Sequence, residues 1–126
     1  MKVLVDTSVW VAHFRQPDAA LIGLLSRDSA LSHPLVLAEI ACGTPPAPRA
    51  QTLSDIALLR QANAASWAEV MAIIEREKLY GLGCSFINIA LLASACITPD
   101  AKLWTLDTRL AKLAQRFGVL FERPLH

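Results

Sequence analysis

Four side chains in this sequence carry oxygen where a hard cation would take it: Asp6, Glu39, Asn88 and Asp107. Asp6 directly follows the apolar, β-branched run Val3-Leu4-Val5, and Asp107 stands where a second short strand gives way to a helix. Glu39 is enclosed in Leu35-Val36-Leu37-Ala38-Glu39-Ile40-Ala41, where a buried, unpaired carboxylate is expensive. Asn88 sits in an even more apolar helix, one turn before Leu91 and Leu92, where its amide needs partners. Each has a plainer role open to it: helix N-cap for Asp6 and Asp107, solvent-facing charge for Glu39, hydrogen-bonded core amide for Asn88. Taken together, three acids and one amide at strand ends or against the interior describe an oxygen-ligand site for Mg²⁺ or Mn²⁺, whose charge makes adjacent carboxylates tolerable. Such an ion polarises a phosphodiester and lowers the pKa of bound water, so the matching chemistry is hydrolysis of a nucleic-acid backbone.

The elements that must position these groups follow from period and punctuation. Val3 to Val5 is a strand, and Asp6-Thr7-Ser8, all helix-capping types, start a helix near Val9. Leu21, Leu24 and Leu25 recur at helical spacing after Pro17, and Leu35 to Ala41 forms a further helix ended by Gly43. The three prolines between Thr44 and Arg49 form a bend, after which Leu53, Ile56, Leu59 and Arg60 mark another helix. Ser66-Trp67-Ala68-Glu69 is a capping box, with Trp67, Val70, Met71 and Ile74 as the buried face of a helix ending near Gly81. Gly81-Leu82-Gly83 is a turn into the helix Phe86 to Ile97; Lys102 to Thr105 is a strand. Leu110, Leu113, Ala114 and Phe117 share one face of the last helix, which Gly118 ends before a strand from Val119 to Phe121. Strands alternating with amphipathic helices predict one α/β domain over residues 1–126, with a mainly parallel sheet whose ligand sites gather at the carboxyl ends of the strands.

Composition narrows the partners. With 54% apolar residues the chain can bury a sizeable core, and a net charge of +1 gives no bulk attraction to nucleic acid, so any such contact must be a local patch. The stripe Arg109, Lys112 and Arg116 is one candidate for phosphate contacts, or else a solvated helix face. Cys42, Cys84 and Cys96 are odd in number, lack CxxC spacing and read as reduced, buried small hydrophobes of a cytoplasmic protein. His13, His33 and His126 have no ligand spacing and read as surface or capping residues, and Trp10, Trp67 and Trp104 as core. The acid at position 6 interrupts any signal peptide, and the run from Phe86 to Ile97 is too short to span a bilayer.

Val3-Leu4-Val5-Asp6-Thr7-Ser8-Val9-Trp10 resembles the amino-terminal signature of PIN domains, and Leu37-Ala38-Glu39-Ile40 their second acidic motif. Gly81 to Ala95, around Asn88, resembles the third, and Leu103-Trp104-Thr105-Leu106-Asp107-Thr108-Arg109-Leu110 the fourth. The match runs in order along nearly the whole chain and is similar to the VapC branch of that family. The resemblance implies a PIN-like three-layer α/β/α sandwich and a cytoplasmic endoribonuclease using Mg²⁺ or Mn²⁺. It also implies RNA as substrate, a homodimer and inhibition by a VapB-like antitoxin. By position, Asp6, Glu39 and Asp107 match three of the family's four acids, with Thr7, Ser8 and Thr105 as supporting hydroxyls. Asn88 departs from the pattern: it stands where the family has an aspartate, keeps one oxygen and loses the charge.

That departure implies weakened or absent cleavage and makes a PIN-fold module that binds RNA or a partner without cutting the main rival. A nuclease acting on structured DNA also fits the acid cluster, which does not read the sugar. A phosphate-receiving signalling domain would need adjoining acids after the first strand, a phosphoacceptor after a middle strand and a late lysine, and that combination is not found. Leu21, Leu24 and Leu25, with the apolar side of the Leu53 to Leu59 helix, offer a hydrophobic surface for an antitoxin segment or a dimer seam.

Overall fold

Residues without a polar atom beyond the backbone favour a strand that is covered on both faces, and Val3, Leu4 and Val5 meet that condition. In a computed structural model describing residues 1–124 they form β1 (Lys2–Val5), and none has exposed surface. β2 (Ala30–Leu31) pairs parallel to one edge of β1 and β3 (Ala101–Trp104) parallel to the other, giving the order β2-β1-β3. The first connection steps from β1 to β2, and the second steps back past β1 to β3. Right-handed crossovers in opposite directions put their helices on opposite faces, which is the expected α/β/α sandwich. The reversal also makes the carboxyl end of β1 a topological switch point, where open parallel sheets place their ligands.

Among the described residues, seven helices fill the two outer layers. α1 (Thr7–Arg15) packs on α3 (Pro34–Cys42), which packs on α4 (Arg49–Ala57), while α2 (Ala19–Ser26) lies against β2. α6 (Phe86–Ile97) touches β3, α5 (Trp67–Glu77) and α7 (Thr108–Arg116). Its residues Ile89 to Ala95 are all buried, as expected of a helix apolar on every side. α7 is amphipathic: Leu110, Leu113 and Ala114 enter the core while Arg109, Lys112 and Arg116 face solvent. Each leucine buried so completely as Leu110 contributes about 1.5–3 kcal/mol.

Several expectations are corrected. The buried face of α5 is Val70 and Ile73; Trp67 is 69% exposed and lies over Phe86, and Met71 is exposed as well. Trp67 stands in the first turn of α5, where it meets Phe86 at the very start of α6 and leaves most of its surface to solvent, so Trp10 and Trp104 are the buried tryptophans. Cys42 and Cys96 are exposed and Cys84 half-buried, because each falls near a helix end where packing thins out. Leu21 and Leu24 are buried in the core and leave only Leu25 of that trio beside a surface groove. The segment from Val119 to Phe121 forms one isolated bridge, Leu103 with Leu120, and no strand. Gly118 turns the chain into it at positive φ, and Pro124, without an N–H, limits any extension of the ladder. β2 went unforeseen because two residues are too few to show a period.

Candidate active site

At the carboxyl end of β1, Asp6 occupies the N-cap position of α1 but its side chain caps nothing. It is 4% exposed, and its Oδ2 accepts hydrogen bonds from the hydroxyls of Ser8 and Thr105, both at 2.7 Å. A hydroxyl has one proton to give, so both are committed to the carboxylate, and their oxygens are free to accept. They accept from the turn that follows β3: Leu106 N–H donates to Ser8 Oγ and Asp107 N–H to Thr105 Oγ1, each at 3.0 Å. Asp6 thereby fixes the path of the chain into Asp107. Among the described residues no hydrogen bond reaches Asp6 Oδ1, and that atom is not sealed from solvent.

The neighbouring residue carries the link to α3. Thr7 Oγ1 donates to Glu39 Oε1 at 2.7 Å, and Glu39, half-buried, leaves Oε2 without a hydrogen bond among the described residues. Asp107 serves as N-cap of α7, its Oδ1 accepting from the N–H groups of Arg109 and Leu110 at 2.9 and 3.0 Å, with no hydrogen bond to Oδ2 among the described residues. The plain and the functional readings of Asp107 are therefore compatible. Asn88 lies in the first turn of α6, in a capping box with Ser85. Its Oδ1 accepts from the Ser85 N–H at 3.1 Å and the Ser85 hydroxyl at 2.9 Å. Because the backbone N–H can only donate, the amide oxygen must face Ser85, and the NH₂ group is what remains to face outward.

The starts of α6 and α7 lie side by side. Asp107 and Arg109 both act on Cys84, whose thiol burial pushes up; Asp107 adds to that rise and Arg109 opposes it. Arg109 Nη1 donates to Gly83 O at 3.4 Å, and a Cβ on Gly83 would stand 2.6 Å from the same nitrogen. Gly83, at φ +83°, thus admits the guanidinium to the site's edge. Arg116, by contrast, is turned away to Glu77 and stacks over Phe117, and Lys112 lies exposed further along α7.

Arg15 was not singled out by its sequence context. It lines a cavity of about 350 Å³ that opens beside Glu39, together with Val11, Phe14, Gly43 and Pro45. Its position at the last turn of α1 carries no motif, so only the packing of α1 on α3 brings it there. His33 caps α3 as expected, and His126 lies outside the described residues.

Among the described residues no three His, Cys, Asp or Glu side chains are drawn into a group that could hold a metal ion. The chemistry of the donors nevertheless suits Mg²⁺ or Mn²⁺: among the described residues Asp6, Glu39 and Asp107 each retain an oxygen with no hydrogen-bond partner, at one end of the sheet, and neither thiol nor imidazole intervenes. Asn88 is the weakest donor, since its one oxygen already accepts twice.

The chain is 39% identical over 117 residues to Ribonuclease VapC32 of Mycobacterium tuberculosis, in strain CDC 1551 / Oshkosh and in strain ATCC 25618 / H37Rv alike. Each alignment covers 93% of this chain and 94% of the relative. No family model matches the chain. Identity at this level across nearly the full length of both proteins, on a parallel α/β/α sheet with acids at its switch point, places the chain in the VapC-type PIN-domain ribonuclease family.

Proposed function

We propose that this chain is a Mg²⁺- or Mn²⁺-dependent endoribonuclease, the toxin of a VapBC-type pair acting in the cytoplasm, with cleavage weakened by Asn88. The observation that carries the reading is the Asp6 network, in which a buried carboxylate at the switch point spends one oxygen on two hydroxyls and keeps the other open. Asp6, Glu39 and Asp107 would hold the ion with Asn88 beside them; when bound, it supplies a polarised phosphodiester and a water of lowered pKa. The protein's own groups do the positioning. Ser8 and Thr105 orient Asp6, Thr7 orients Glu39, and Arg109 offers a cation to a phosphate at the site's edge.

The test is incubation with labelled RNA and labelled DNA in Mg²⁺, Mn²⁺ or EDTA. RNA cut internally in Mn²⁺ and left intact in EDTA is the expected outcome; DNA cut equally well would replace the substrate class. A second reading, binding without cutting, is favoured by the engagement of Asn88 Oδ1 in the helix cap. Retention of RNA on the protein with no cleavage in either metal would select it.

For the inhibitor, the reading assigns an antitoxin segment to a groove of about 370 Å³ lined by Trp10, Phe14, Leu25, Ile56 and Leu59. The isolated chain is then a homodimer by light scattering. A monodisperse monomer would count against the dimer.

A further inference from the structure

His33 is 2% exposed, and both ring nitrogens are engaged. The Leu35 N–H donates to Nδ1 at 3.0 Å, so Nδ1 carries a lone pair. On the other side, Nε2 lies 3.0 Å from the hydroxyl of Ser94, which is fully buried in α6. Ser94 gives its only proton to Ala90 O at 2.7 Å and accepts from Ala65 N–H at 3.0 Å. Its remaining lone pair can only receive, so Nε2 must be the protonated nitrogen. Two independent contacts thus demand the same species: a neutral imidazole with its proton on Nε2.

The contacts tie together the first turn of α3, the middle of α6 and the segment just before α5. α3 carries Glu39 and α6 carries Asn88. We infer that His33 is a positioning residue whose neutral Nε2–H tautomer sets the spacing of Glu39 from Asn88, and whose protonation on Nδ1 opens that spacing. The inference rests on the proposed nuclease reading only in its catalytic consequence. A proton on Nδ1 would face the Leu35 N–H, donor against donor, and the ring would have to leave either the cap or Ser94. Burial alone pushes the ring's pKa below 6.5. The titratable groups on the elements around it, Glu39 and Cys42 on α3, Asp55 on α4, Arg60 before α5, Glu69 on α5 and Cys96 on α6, add nothing to that shift.

The deciding experiment is a two-bond ¹H–¹⁵N titration of the labelled chain from pH 8 downward, with the His33 ring assigned by its loss in His33→Asn. The Nε2–H tautomer is expected at pH 8, a midpoint below 6.5, and backbone amide signals of Leu35, Glu39 and Asn88 that move with that midpoint. A proton on Nδ1 at pH 8, or Glu39 and Asn88 signals that ignore the titration, would overturn the inference whether or not the chain cuts RNA. The second arm is RNA cleavage. His33→Asn keeps a cap for Leu35 but cannot reach Ser94, so kcat should fall about tenfold with KM nearly unchanged, and the acid limb of the pH profile should disappear. Ser94→Ala, which keeps the ring and removes the link to α6, should reproduce the kcat loss; full kcat in both variants would also overturn it.

Discussion

Replacing Asn88 by aspartate should raise metal-dependent RNA cleavage at least about tenfold, equivalent to about 1.4 kcal/mol of transition-state stabilisation. The contacts of Asn88 say why the effect should be catalytic and not structural. Oδ1 is held by two donors from Ser85, and a carboxylate oxygen accepts both equally well, so the capping box survives Asn88→Asp. The group that changes is the outward NH₂, a pair of donors facing away from the cap, which becomes an anionic oxygen. At the start of α6 that charge gains about 0.3–1 kcal/mol from the helix dipole. Repulsion from Asp107, at the neighbouring start of α7, costs about 1 kcal/mol or less across solvent. The two offset, and the thermal midpoint without metal should move little. In Mn²⁺ the added charge acts wholly in favour of the ion. The assay is cleavage of a total-RNA pool by both versions at matched Mn²⁺, with Asp6→Ala as background. Should Asn88→Asp bind Mn²⁺ no better and cut no faster, position 88 is a helix cap and nothing more.

Further expectations come from the same contacts. Asp6→Ala strands the hydroxyl protons of Ser8 and Thr105, and should destabilise the fold by about 1–3 kcal/mol while removing any Mn²⁺-induced rise in Tm; an unchanged metal response would take Asp6 out of the site. Arg109→Ala should weaken RNA binding and flatten its salt dependence, whereas Arg116→Ala, whose guanidinium is occupied by Glu77, should do so far less; binding assays across a salt series separate them. For pH, the folded His33 is held neutral and its pKa lies below the unfolded 6.5, so the unfolded chain takes up the proton first. Stability from this residue is therefore present above about pH 6.5 and declines as pH falls toward the lowered value. Denaturant midpoints at stepped pH should show that decline, and His33→Asn should reduce it.

What could be read from the chain was whatever repeats or stands alone in strong contrast. Val3 to Val5 announced a covered strand by having no polar face, and Ser66-x-x-Glu69 announced α5 because both halves of its box are local. Asp6 stood out because an acid after such a strand has few inexpensive places to go. What was hidden depends on distant partners. Nothing near Asp6 tells that Thr105, almost the whole chain away, would take up its Oδ2, nor that Ser94 and His33 would meet. The buried face of α5 is hidden for the same reason: helical period allows neighbouring stripes, and the extent of α6 determines which is covered. Arg15 had no signal at all, since its closeness to Glu39 comes from helix packing.

The proposed function has Asp6, Glu39 and Asp107 act as one cation site, although among the described residues no three His, Cys, Asp or Glu side chains form a group that could hold a metal ion. Calorimetric titration of the chain with Mn²⁺, repeated on Asp6→Ala, tests it most directly. One saturable site, lost in Asp6→Ala, is the predicted result; equal Mn²⁺ affinity in the two proteins, or no saturable binding by the unmodified chain, would contradict it.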